Sequence, residues 1–101
     1  YFFSGGLMPA ENTLLYFQEQ LKIDAQWRVP GTHYARTSND WLARQDQNRE
    51  AVMKVLDQAY GPTEAKLWFN RWRMFFMAVA ELFGYAGGTE WFVAHYRFVR
   101  R

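Results

Sequence analysis

The sequence predicts a mainly helical α+β chain with two strands, near residues 21–29 and 91–99, and one long helix near 62–83. Three observations carry this reading. From Leu21 to Val29 apolar and polar residues alternate nearly perfectly, the period of a strand with one covered and one wet face. From Pro62 onward Trp68, Trp72, Phe75, Phe76, Val79 and Phe83 recur at steps of three and four, which lays them on one helical face. From Trp91 to Val99 aromatic and apolar residues occupy both alternation faces, as in a strand covered on both sides.

The remaining elements follow in order. Ser4-Gly5-Gly6 reads as a turn, and Pro9 as the start of a short helix with Leu14, Leu15, Phe17 and Leu21 on its apolar side. Pro30-Gly31 ends the first strand. Thr32 is expected to cap the next helix by accepting a hydrogen bond from an unpaired N–H of its first turn. On that helix Tyr34, Ser38, Trp41, Leu42 and Gln45 share a face, with Trp41 and Leu42 as its anchors. The polar run from Gln45 to Glu50 is either a break or a solvated stretch. Val52, Val55, Leu56 and Ala59 then repeat the helical spacing. Gly61-Pro62 opens the long helix, because proline at the first helical position loses only an N–H that had no partner. Met74 to Ala80 contains no polar residue, so this helix is apolar all round at its middle. Its uncharged run is far below the ~18 residues of a membrane span, which points to burial inside protein. Gly84 and Gly87-Gly88 end it and permit a tight turn into the second strand.

Residues 1–101 read as a single unit with no repeat or linker. A fifth of the residues are aromatic and only 22% are charged, a large apolar load for a small domain. Chains of this size bury only about 60–65% of their unfolded surface, so a partner surface or further chain is expected to cover the rest. Two strands separated only by helices make a marginal sheet, which argues the same way. The opening Tyr1-Phe2-Phe3-Ser4 reads as the interior of a longer chain. There is no cysteine, which excludes a disulfide framework and thiolate chemistry and makes a reducing, cytoplasmic setting the default. The formal charge of +2 is too small to argue for nucleic acid.

The residues that could carry chemistry are few. Tyr34 lies just after a strand at the start of a helix, where it can hold an anion or orient a base, or simply pack on Trp41 or Leu42. His33 and His95 are far apart and lack the neighbours a metal site needs. Arg71, Arg73, Arg97, Arg100 and Arg101, interleaved with Trp68, Trp72 and Trp91, either form a basic aromatic surface or solvate the ends of buried elements. The aromatic stripe from Trp68 to Phe83, with Phe75, Phe76 and Val79 as the candidate wall residues, can line a pocket for an acyl chain, pack a core, or do both. No phosphate-binding glycine loop, nucleophile elbow or defensible carboxylate pair is present.

Several stretches taken together resemble one family. Tyr1-Phe2-Phe3-Ser4-Gly5-Gly6-Leu7-Met8-Pro9 is similar to the segment after the last parallel strand of cyclopropane-fatty-acyl-phospholipid synthases. Gly31-Thr32-His33-Tyr34 with Thr37 and Trp41 resembles their G-x-x-Y-x-x-T-x-x-x-W stretch. Arg71 to Ala78, Glu81 to Tyr85, Glu90-Trp91 and His95-Tyr96 resemble their C-terminal helix and last strand. The resemblance runs from end to end. It implies the C-terminal portion of an S-adenosylmethionine-dependent methyltransferase of Rossmann-like α/β fold, in which the two strands here are antiparallel to each other. It implies methyl or methylene transfer to an unsaturated acyl chain of a phospholipid, with Tyr34 among the residues that hold bicarbonate. The cofactor-binding half and the other bicarbonate ligands would lie upstream of Tyr1. By itself the chain is therefore expected to bind no cofactor and to be inactive. Its expected partners are the N-terminal methyltransferase core or a second copy, and lipid acyl chains, with peripheral contact at the inner membrane face. The rival reading is a non-enzymatic helical module that covers its aromatic face by self-association.

Overall fold

The computed structural model describes residues 1–101. Strand β1 spans Leu21–Pro30, helix α1 Gly31–Gln47, helix α2 Arg49–Tyr60, helix α3 Pro62–Gly84 and strand β2 Phe92–Arg100, with short 3-10 turns at Thr13–Tyr16 and Tyr85–Gly88. The expected strands and long helix are therefore present within a residue of their predicted bounds. The short helix expected from Pro9 is reduced to the single turn Thr13–Tyr16. Leu14, Leu15 and Phe17 are all exposed there, so no packed face offsets the cost of nucleating a longer helix. The chain divides into two compact units, Tyr1–Val29 with Val93–Arg101, and Pro30–Phe92.

In the first unit β1 and β2 pair as an antiparallel two-stranded sheet. Its N-terminal segment is tied to the strands through Glu11. The Arg28 guanidinium pairs with the Glu11 carboxylate, the Gln26 amide donates to it, and the Tyr96 hydroxyl donates to the Glu11 carbonyl. The hydrogen bonds from Arg28 hold the Glu11 carboxyl below its usual range. The hollow of about 610 Å³ around these side chains is lined by groups that satisfy one another. No residue of either strand is fully buried. In β2 the pattern from Ala94 alternates, with Ala94, Tyr96 and Phe98 half-buried and His95, Arg97 and Val99 exposed.

The second unit is a three-helix layer. α1 enters two residues earlier than the Thr32 cap predicts. Pro30 stands at the N-cap, no side chain caps the helix, and Thr32 lies inside the first turn. The polar run breaks at Asn48, whose backbone N–H and side-chain amide both donate to the Arg44 carbonyl at the end of α1. Gly61 separates α2 from α3 with φ 84° and ψ 159°, a backbone region essentially reserved to glycine, and Pro62 follows at the first helical position. α1 and α3 run antiparallel: Tyr34 meets Phe83, Trp41 meets Phe76, and Gln45 meets Phe69. The core is Leu56 of α2 with Ala65 and Phe69 of α3, surrounded by Val52, Met53, Trp68 and Trp72. α3 thus buries one side, while Leu67, Met74, Met77 and Leu82 remain exposed on its other surfaces. No helix is long and apolar enough to cross a membrane.

Candidate functional site

The residues that share a face on α1 do so in the structure, but with their roles exchanged. Ser38 and Gln45 are buried, whereas Trp41 is 42% exposed. A serine has the small side chain that lets α1 and α3 approach closely. Gln45 is tolerated because its amide donates to the Phe69 carbonyl at 2.9 Å, which satisfies one polar group inside the packing. Trp41, freed from the core, stands at the edge of the helix layer. The Ser38 hydroxyl is fully buried and has no hydrogen-bond partner. An unsatisfied buried hydroxyl costs about 1–3 kcal/mol. Ser38→Ala is accordingly expected to raise stability by about 1 kcal/mol in denaturant titration. A loss of stability would mean that the hydroxyl is bonded in solution.

Tyr34 is half-buried on the first turn of α1. Its ring packs edge-on against Phe83 at 4.6 Å and against Trp41 at 6.1 Å between centroids. From there the contacts continue along the two helices, Trp41 to Phe76 at 5.9 Å, Phe76 to Trp72 at 5.9 Å and Trp72 to Phe75 at 5.6 Å. Such offset and edge contacts orient rings beyond what area burial alone would do. Between α1, α2 and α3 this ladder opens into a groove of about 490 Å³, with Trp41, Val52, Val55, Leu56, Trp72 and Phe76 as its apolar surface and Arg44 and Gln45 as its polar members. Across one end of the α1–α3 pair, Arg73 grips Asp46 through two parallel hydrogen bonds of 2.8 and 2.9 Å. That pairing fixes the helix register and holds the Asp46 carboxyl below its usual range.

The predicted residues are partly brought together. Tyr34 and Phe76 are linked through Trp41, and Phe76 lines the groove. Phe75 touches Trp72 and Phe76 from beside it, and Val79 is half-buried on α3 outside the groove lining. His33 is exposed, and no cluster of three or more His, Cys, Asp or Glu is placed to hold a metal. Trp41 is the groove residue that helical spacing assigned to packing alone, whereas Trp72 belongs to the aromatic stripe and the basic aromatic surface considered above. Their signal in the sequence was size, since a tryptophan at a helix crossing is hard to bury completely.

The glycines around Tyr34 explain its placement. A Cβ on Gly31 would lie 2.1 Å from the Trp91 carbonyl oxygen and 2.3 Å from that of Phe83. A Cβ on Gly88, at φ 78°, would lie 2.5 Å from the Thr32 backbone nitrogen and 2.7 Å from that of Gly31. The start of α1 is thus nested in the backbone that follows α3, and Tyr34 is delivered onto Phe83 by that nesting.

No protein-family model matches the chain. Over its whole length it is 34% identical to (S)-coclaurine N-methyltransferase of Thalictrum flavum subsp. glaucum and 35% identical to (S)-coclaurine N-methyltransferase of Papaver somniferum. It covers 29% and 30% of those proteins, so the chain spans less than a third of the length of the curated relatives it matches. A crystal structure of coclaurine N-methyltransferase bound to N-methylheliamine and SAH matches 92% of this chain and 27% of its own, with TM-score 0.81 and 33% identity. The fold matches that of the C-terminal part of a methyltransferase. The methyltransferase part of the expected resemblance therefore stands, and its finer part is corrected. The relatives are N-methyltransferases, not cyclopropane-fatty-acyl-phospholipid synthases. The physical difference is in the acceptor. An amine nitrogen brings its own lone pair, so neither an acyl double bond nor bicarbonate is required by such chemistry, and neither finds support here. The non-enzymatic alternative finds none either.

The chain's junction of strand, glycine and helix, at Pro30-Gly31, is filled by the carbonyls of Trp91 and Phe83, which leaves no space for a ligand against that glycine.

Proposed function

We propose that this methyltransferase part forms the acceptor side of an N-methyltransferase for ring-bearing amines, completed by a cofactor-binding core outside these 101 residues. What carries the reading is the end-to-end identity of about a third to two (S)-coclaurine N-methyltransferases. The groove is chemically suited to such an acceptor. Trp41, Trp72 and Phe76 offer flat ring surfaces, and Val52, Val55 and Leu56 give an apolar floor. Apolar surroundings disfavour a charged ammonium and so keep the nitrogen lone pair available. Tyr34 is the one ionisable hydroxyl on the aromatic ladder, and we assign it to orienting the acceptor or the group that takes its proton. Phe76 is the groove wall, with Phe75 supporting it and Val79 on the same helix.

The experiment is a graft of residues 1–101 in place of the corresponding part of the Papaver somniferum relative. Methylation of (S)-coclaurine by the folded chimera is expected. Tyr34→Phe in that chimera should lower kcat by about 100-fold, the lower end of the range for a group that positions or transfers a proton, while leaving its thermal midpoint nearly unchanged. An unaltered kcat would return Tyr34 to ring packing alone. A folded chimera that methylated an unsaturated phospholipid and no amine would overturn the acceptor assignment.

A further inference from the structure

The surface of α3 that faces away from α1 and α2 has no function in the reading above. Along it lie Leu67, Arg71, Met74, Ala78 and Glu81, at steps of four, three, four and three. That is the alternation of the two seam positions of a heptad, the spacing at which one helix packs against another. Leu67 is 46% and Met74 66% exposed, and Ala78 and Glu81 are exposed as well. Met77 and Leu82, at the two flanking positions, are 43% and 40% exposed and widen the apolar strip. Arg71 is half-buried, its guanidinium lying 4.7 Å from the centre of the Trp68 ring, where its stem and charge are held beside the strip.

The order of the charges distinguishes the possible arrangements. In a parallel pairing of two α3 helices, Arg71 would face an identical arginine and Glu81 an identical glutamate, which is unfavourable at both ends. In an antiparallel pairing about a two-fold axis near position 76, Arg71 faces the partner's Glu81, and Met74 faces the partner's Ala78. The large methionine then fills the space left by the small alanine, and both ends carry opposite charges. We propose that α3 forms an antiparallel, two-fold symmetric pair with α3 of a second copy of this chain. The seam covers ten to fifteen residues of helix, roughly 20 Å, so the dimer is a weak one in which the two charge pairs set orientation and register.

Analytical ultracentrifugation of the 101-residue chain tests this, with circular dichroism to verify helix content. The mass is expected to approach that of a dimer at about 100 µM, an ordinary range for a small interface. Glu81→Arg alone and Arg71→Glu alone place like charges face to face and should each weaken association at least tenfold. The double variant R71E/E81R restores opposite charges and should dimerise again. Because the chain has no cysteine, a mixture of Met74→Cys and Ala78→Cys chains should form a disulfide-linked dimer on oxidation, while neither alone does. A wild-type chain that stays monomeric overturns the proposal and leaves the strip to another segment of a longer protein. Folded single swaps that associate like the wild type, or a folded double swap that stays monomeric, overturn it too. So does cross-linking of each cysteine variant with itself as readily as in the mixture.

Discussion

Phe69→Ala is expected to lower stability by about 3–5 kcal/mol, the range for deleting a buried aromatic side chain. Phe69 is 1% exposed and is the largest fully buried side chain in the molecule. It joins Ala65 of its own helix to Leu56 of α2, and Arg49 lies over its ring at 4.6 Å. Ala65 is too short to reach into the space and Leu56 is held on a separate helix, which keeps the cavity cost high. A chain of this length has a total stability of about 5–15 kcal/mol, so the variant should be close to unfolded at ordinary temperature. Urea denaturation followed by circular dichroism measures the change. A loss below about 1 kcal/mol would mean that the three helices are not held together around this ring. Exposed apolar residues of α3 give the contrast: Met74→Ala should cost no more than about 0.5 kcal/mol in the monomer.

Gly31→Ala is expected to cost about 3 kcal/mol or more, at the upper end of the range for overpacking a close contact. The added methyl would meet two backbone carbonyl oxygens at 2.1 and 2.3 Å, and neither belongs to a side chain that can rotate away. Relief requires the start of α1 to lift from the backbone after α3, which would also draw Tyr34 off Phe83. Loss of stability should therefore come with loss of the fixed ring contact, visible as averaged aromatic resonances in NMR spectra. Gly5→Ala is the control. No atom lies within 4 Å of its added methyl, and it should change stability by less than about 0.5 kcal/mol. Equal effects at the two positions would show that the close approach at Gly31 does not exist in solution.

Much of the secondary structure was legible because its signals are local. Pro62 after a glycine and Gly84 before a glycine-rich turn bound α3, and period two from Leu21 to Val29 marks β1. α3 also has more apolar surface than α1 and α2 cover, and Leu67, Met74, Met77 and Leu82 are left exposed. The start of α1 was less legible. Thr32 has the chemistry of a cap, but the close approach of Gly31 to a distant backbone outweighs a single capping hydrogen bond and moves the helix start forward.

The candidate site divides in the same way. Spacing identified Tyr34, Ser38, Trp41 and Gln45 as one face of α1, since helical period alone places them there. It also put Phe76 on the packed face of α3. What spacing cannot express is which residue on that face meets which surface of a neighbour. In the tertiary structure the antiparallel approach of α1 and α3 selects small Ser38 for the crossing, pairs Gln45 with the Phe69 carbonyl, and leaves Trp41 to line a groove. The resemblance read from the motifs reached the methyltransferase class and could not choose the acceptor, because aromatic walls suit an acyl chain and a ring-bearing amine alike. The sequence by itself thus determined the elements and the shared faces, which depend on neighbours three and four residues away. The tertiary structure alone decided burial and close approach, because those depend on the shape of backbone brought in from 24 to 60 residues along the chain.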